Sequence, residues 1–97
     1  MITSKQRAYL RKLAHGMQPI FQIGKGGLTD TFISEIEAAL EARELIKIHI
    51  LESAFLDVKP TCNEVARLAG AEPVSAMGSK FVLYKESKNK KVIELPR

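Results

Sequence analysis

Tryptophan is absent from this chain of 97 residues, cysteine occurs once and histidine twice. The single Cys62 excludes an internal disulfide, and His15 and His49 do not form a cluster at zinc-ligand spacing. Long hydrophobic runs are also missing. None exceeds Phe81-Val82-Leu83-Tyr84, and the first thirteen residues carry Lys5, Arg7, Arg11 and Lys12 in place of a signal-peptide core. The expectation is a soluble, cytoplasmic protein with no metal, no cofactor and no membrane partner.

At roughly 100 to 200 residues per domain, the length allows one domain spanning 1–97. Hydrophobic residues at 45% and charged residues at 27% are globular rather than disordered proportions. A domain of this size folds alone but has little interior to spare for a deep pocket or a large buried cofactor.

Acidic residues are missing from one stretch in particular. Met1 to Thr29 holds Lys5, Arg7, Arg11, Lys12 and Lys25 with no acid, a charge of +5. Asp30 to Asp57 is −5, with seven acids against Arg43 and Lys47, and Val58 to Arg97 is +4. The net charge of +4 and a pI near 9.4 suit a polyanionic partner, and the basic flanks around an acidic middle sharpen that expectation.

Thr3 and Gln6 make a capping box at the start of a first helix. Leu10, Leu13, Ala14 and Met17 form its apolar stripe, Lys5, Ala8, Arg11 and Lys12 its outer face, and Gly16 its stop. Ile20 to Ile23, between Pro19 and Gly24, reads as a strand. Thr29 is the expected cap of a second helix with Ile33, Ile36, Ala39 and Leu40 at spacings of three and four.

Leu45 to Leu51 alternates Ile46, Ile48 and Ile50 with Lys47 and His49, the period of a strand. A third helix ends at Gly70 and starts either at Thr61 with Glu64 as a capping box or at Asp57 with Pro60 in its first turn. Val74 to Met77 and Lys80 to Tyr84 form a hairpin over Gly78-Ser79, a type II′ turn. Residues 86–97 are a basic stretch, either a last strand at Val92 to Leu95 or a partly ordered tail. The predicted fold is α/β, in the order α-β-α-β-α-β-β, with a mixed sheet of about four strands and three helices in two or three layers.

Gly24-Lys25-Gly26-Gly27 lies between a strand and a helix N-terminus, where unpaired backbone N–H groups and the helix dipole favour an anion. Glycines let a phosphate approach the backbone, and Lys25 adds a point charge. The spacing fails as a P-loop and as a dinucleotide fingerprint. It fits G-x-x-G, which clamps nucleic-acid backbone, although glycines also serve any tight turn. Asp30 in the first helical turn counts against an anion if its carboxylate faces the loop.

The runs Gln22-Ile23-Gly24-Lys25-Gly26-Gly27-Leu28-Thr29, Glu37 to Ile48 through Arg43-Glu44-Leu45-Ile46-Lys47, Val82-Leu83-Tyr84-Lys85 and Leu95-Pro96-Arg97 together resemble the CRM domain, in particular its bacterial single-domain members of the YhbY type. That resemblance implies an RNA-binding fold similar to the C-terminal domain of translation initiation factor three. It also implies association with 23S ribosomal RNA in precursors of the large ribosomal subunit. Carried over by position, it assigns the loop to Gly24, Lys25, Gly26 and Gly27, and a basic helix to Lys5, Arg11 and Lys12.

The leading expectation is therefore a non-enzymatic RNA-binding ribosome assembly factor, contacting RNA through Gly24 to Gly27, Thr29, Lys5, Arg11 and Lys12, extended by Lys88 and Lys90. No small-molecule substrate is expected. Two other readings stay open: a small phosphate-binding enzyme using the same loop, and a protein adaptor using the acidic helix. Phe21, Phe32, Phe55 and Phe81 are expected in the core and not under bases. Glu35, Glu37, Glu41 and Glu44 are expected on a solvated helix face.

Overall fold

The first helix of the computed structural model, which describes residues 2–97, is α1 (Ser4–Ala14). Its capping box is complete: Thr3 Oγ1 accepts the Gln6 N–H at 3.1 Å, and Gln6 Oε1 accepts the Thr3 N–H at 3.0 Å. Leu10 and Ala14 are buried, but Leu13 is exposed. The edge of its apolar stripe therefore stays in water.

The chain continues through β1 (Phe21–Ile23), α2 (Asp30–Arg43), β2 (Leu45–Ile50), a short 3-10 turn (Glu52–Ala54), α3 (Val58–Ala69), β3 (Glu72–Met77) and β4 (Lys80–Tyr84). The four strands lie in the order β1-β2-β4-β3. β1 pairs in parallel with β2, whereas β4 is antiparallel to both of its neighbours. This is the predicted mixed α/β sheet, with the hairpin strand β4 inserted beside β2 so that β3 becomes an edge.

Three layers result. Ile46, Ile48 and Ile50 of β2, with Phe81 and Leu83 of β4, meet Ile36 and Leu40 of α2 and Val65 and Ala66 of α3 on one face. Full burial of each such aliphatic side chain contributes about 1.5–3 kcal/mol. On the other face Leu45, Val82, Tyr84 and Val74 meet Leu10 and Ala14 of α1. The period-two pattern of β2 therefore separates two cores.

α3 starts from Asp57, with Pro60 in its first turn, where a missing N–H costs nothing. Glu64 forms an exposed ion pair with Arg67 at 2.6 Å instead of capping. Gly70 closes the helix at φ 66, a left-handed conformation that suits glycine. In the hairpin turn Gly78 has φ 63 while Ser79 stays outside the positive-φ residues, as a type II′ turn requires. The edge strand β3 carries Pro73, and its register against β4 shifts between Pro73 and Ser75.

Two expectations are corrected. Val92 to Leu95 forms no strand; instead Ile93 and Leu95 pack onto the α1 side of the sheet. Glu44 is not on a solvated face, and the half-buried Glu41 beside it is engaged within the chain. Glu44, completely buried at the end of α2, accepts the N–H of Ser87, Val92 and Ile93 at 2.7 Å each, and Glu41 accepts from Ser87 Oγ and from the N–H groups of Lys88 and Asn89. A carboxylate takes several donors at once, so two acids fasten the segment from Ser87 to Ile93.

Candidate functional site

Two backbone bonds define one end of the molecule. Leu51 N–H donates to the Ile23 carbonyl at 2.8 Å, and Ile50 N–H donates to the Ser79 carbonyl at 2.7 Å. They bring together the Gly24–Gly27 loop after β1, the 3-10 turn after β2 and the tip of the β3–β4 hairpin.

The loop is built to leave donors free. Gly27 N–H closes a turn onto the Gly24 carbonyl at 3.0 Å, with Gly27 at φ 66. The N–H groups of Lys25 and Gly26 meet no acceptor among the described residues, and Lys25 is exposed. A Cβ placed on Gly26 would meet nothing within 4 Å, so the space over the loop is open. Thr29 caps α2 by accepting the Phe32 N–H at 3.0 Å. Its hydroxyl is thus occupied in holding the helix start against the loop.

Beside the loop, the sheet face that carries α1 is left partly uncovered. Register places Gln22 beside His49, His49 opposite Lys80 and Lys80 opposite Met77, a row across all four strands. Lys47 lies one step back on the same face. Arg11 and His15 of α1 overlook Lys47 and Lys80 across an open groove whose lining contains no acid. A groove with several cations and no carboxylate attracts a polyanion along its length.

The predicted site residues separate into two groups. Gly24 to Gly27, Thr29 and Arg11 belong to this end, and Lys12 is exposed on the adjoining turn of α1. Lys5 lies near the opposite end of α1, where its Nζ donates to the Arg97 carbonyl at 3.2 Å. Lys88 is tied through its backbone to Glu41 in the last turn of α2. The twelve helical residues from Asp30 to Glu41, at about 1.5 Å each, put that point roughly 20 Å from the loop. Lys90 donates its N–H to Ser87 Oγ in the same fastened segment.

Lys47 and Lys80 join this candidate face without having been expected there. Their signal was the strand alternation that put Lys47 and His49 on one face, but the pairing of His49 with Lys80 depends on a strand order that alternation does not reveal. Phe55 was misassigned. It is 92% exposed, against the expected core position, while Phe81 is fully buried and Phe21 and Phe32 form an edge-to-face pair 5.8 Å apart. Cys62 behaves as a core hydrophobe, its thiol pushed up to about 11 by burial. Among the described residues no group of three or more His, Cys, Asp or Glu could hold a metal, and no helix is long and apolar enough to cross a membrane.

Comparison with known proteins adds to this geometry. The model of the CRS1 / YhbY (CRM) domain matches residues 2–85. The "Probable RNA-binding protein YqeI" of Bacillus subtilis is 46% identical over 96 residues, 99% of this chain and 100% of that one. An "RNA-binding protein" of Haemophilus influenzae is 35% identical, covering 99% and 96% of the two chains. A solution structure from Staphylococcus aureus, described as that of a candidate RNA binding protein, superposes with a TM-score of 0.78 at 44% identity over 99% of this chain and 100% of its own.

Proposed function

The chain belongs to the CRS1 / YhbY (CRM) domain family, and on that basis we propose that it is a non-enzymatic RNA-binding protein that acts on ribosomal RNA in precursors of the large subunit. The observation that carries the RNA reading is the acid-free groove of Arg11, His15, Lys47 and Lys80 running up to a glycine loop with free N–H groups. Phosphates sit on the loop amides and Lys25, and the backbone continues across Lys80 and Lys47 beneath Arg11 and Lys12. These are contacts to phosphate and shape, with little reading of base edges, so binding falls steeply with salt.

The acidic helix is a weaker candidate for a protein-docking face. Two of its carboxylates, Glu41 and Glu44, are already engaged within the chain. Lys88 and Lys90 contribute at most to a second contact, since one short RNA segment on the loop does not span roughly 20 Å of helix as a single point of contact.

The test has two parts. Sedimentation of lysate through a gradient is expected to carry the protein with large-subunit precursors, and ribonuclease or raised salt is expected to release it. Purified protein with Lys25→Glu and Lys12→Glu is expected to lose RNA affinity at low salt. Unchanged affinity in that variant would sink the site, and a protein that stays at the top of the gradient in mild salt would sink the ribosomal assignment.

A further inference from the structure

Phe55 is placed where neither stability nor packing explains it. The residue closes the 3-10 turn, its N–H donating to the Glu52 carbonyl at 3.0 Å, and it does so in the left-handed conformation, φ 52 and ψ 43. A bulky side chain rarely adopts that backbone, which glycine or asparagine accepts more readily. The ring gains almost nothing in return, being 92% exposed. Backbone strain of this kind persists where the position serves something other than folding.

The ring borders a pocket of about 350 Å³ whose walls are Leu51, Leu56 and Val58 on one side and the Gly78-Ser79 turn on the other. This pocket adjoins the proposed RNA path at both flanks. Leu51 Cδ1 stands 3.6 Å from where a Cβ on Gly24 would lie, so the pocket and the glycine loop share a wall. On the other flank the hairpin turn leads directly into Met77 and Lys80 of the basic groove. Glu52 and Asp57 also line the pocket. Neither carboxylate has a hydrogen bond or ion pair among the described residues, and Asp57 caps α3 without using its side chain.

Apolar walls, an exposed aromatic ring and two free acceptors form an unsuitable seat for a phosphate and a suitable one for a base. We infer that Phe55 stacks on an unpaired base of the RNA held by the Gly24–Gly27 loop, with Glu52 and Asp57 accepting from that base's N–H groups. The acceptors favour guanine, whose neighbouring imino and amino groups supply three N–H donors for the two carboxylates, over uracil, which offers one. The inference rests on the RNA reading above and adds to it the one place where base identity is felt. It also limits the expectation that base readout is slight to the loop and groove.

The experiment titrates fluorescent RNAs by anisotropy: a hairpin with unpaired guanines in its loop, the same hairpin with uracils, and a fully paired duplex. Phe55→Asn relieves the backbone and leaves stability equal or higher. It is expected to weaken binding to the guanine hairpin about tenfold, the scale of one lost base stack, and to leave duplex binding and the salt slope unchanged. Phe55→Trp is expected to retain the guanine preference. Equal binding of the hairpin by wild type and Phe55→Asn overturns the inference, as does an equal loss on the duplex. Wild-type protein that binds none of the three RNAs overturns the RNA reading itself, so the two failures are distinguishable.

Discussion

At both ends of the molecule backbone N–H groups are arranged around a place for negative charge, and the two ends differ in where the charge comes from. Beyond β4, the N–H groups of Ser87, Lys88, Asn89, Val92 and Ile93 converge on Glu41 and Glu44. At the Gly24–Gly27 loop, the N–H groups of Lys25 and Gly26 meet no acceptor among the described residues, and the space over Gly26 is open. The first arrangement is closed by the chain's own carboxylates and is structural. The second is identical in donor chemistry but has no internal acceptor among the described residues, and its one charged residue is the exposed Lys25.

The sharpest way to break this contrast is Glu44→Ala. It leaves the buried Ser87 N–H and the half-buried N–H groups of Val92 and Ile93 without their acceptor; a buried unpaired donor costs about 1–3 kcal/mol, so a loss of about 2 kcal/mol or more is expected in urea unfolding. RNA affinity of the folded fraction is expected to stay at the wild-type value. A loss below 1 kcal/mol would mean that Glu41 and the packing of Ile93 and Leu95 hold the segment without Glu44.

At the open end the expectations reverse. Lys25→Glu with Lys80→Glu is expected to lower RNA affinity at least tenfold, about 1.4 kcal/mol, at low salt and to flatten the salt slope by about 2, one for each lost phosphate contact. The melting temperature is expected to change little, since both side chains are exposed. An unaltered slope would remove both lysines from the phosphate path.

Acid distinguishes the two ends more gently. Burial raises the Glu44 carboxyl, but the N–H groups of Ser87, Ile93 and Val92 outweigh it and hold the group below its usual range. Glu41 is lowered by Ser87 Oγ and by the N–H groups of Lys88 and Asn89. In the unfolded chain both titrate near the ordinary value of about 4.3. Between the lowered and the ordinary values the unfolded chain binds more protons, so stability is fully present above about pH 4.3 and is lost as pH falls through the folded values. Glu44→Gln is expected to flatten that decline, as measured by thermal unfolding from pH 6 to pH 3.

The smallest change is Gly26→Ala. Gly26 has no positive φ and open space around it, so stability is expected to shift by less than about 0.5 kcal/mol. The added methyl stands where a phosphate would approach, and RNA affinity is expected to fall without any change in folding. Gly27→Ala, at φ 66, is expected to cost about 1 kcal/mol in addition.

Local chemistry made much of the fold legible. Thr3 with Gln6, Thr29, Gly70 and Gly78 each announce a cap or a turn through bonds spanning a few residues, and all occur where expected. The alternation in β2 announces two buried faces. Glu44 announced nothing, because its partners are backbone groups 43 to 49 residues away, which carry no side-chain signature. The candidate site was legible as a loop but not as a surface. Lys80 reaches His49 only through the insertion of β4 next to β2, and Lys5 and Lys88 share a sign of charge with the site but not its location. Phe55 was misread because hydrophobicity predicts burial only on average.

The sheet's two margins have a consequence for the protein's life at high concentration. β1 offers only three residues between Pro19 and the glycine loop, and β3 carries Pro73 and a register shift. An exposed margin of unpaired strand invites another chain to add to it, and shortness, proline and local irregularity are what discourage such addition. A sheet blunted on both sides can keep a basic face open to a long polyanion, which gathers many copies along its length, without those copies zipping into one another.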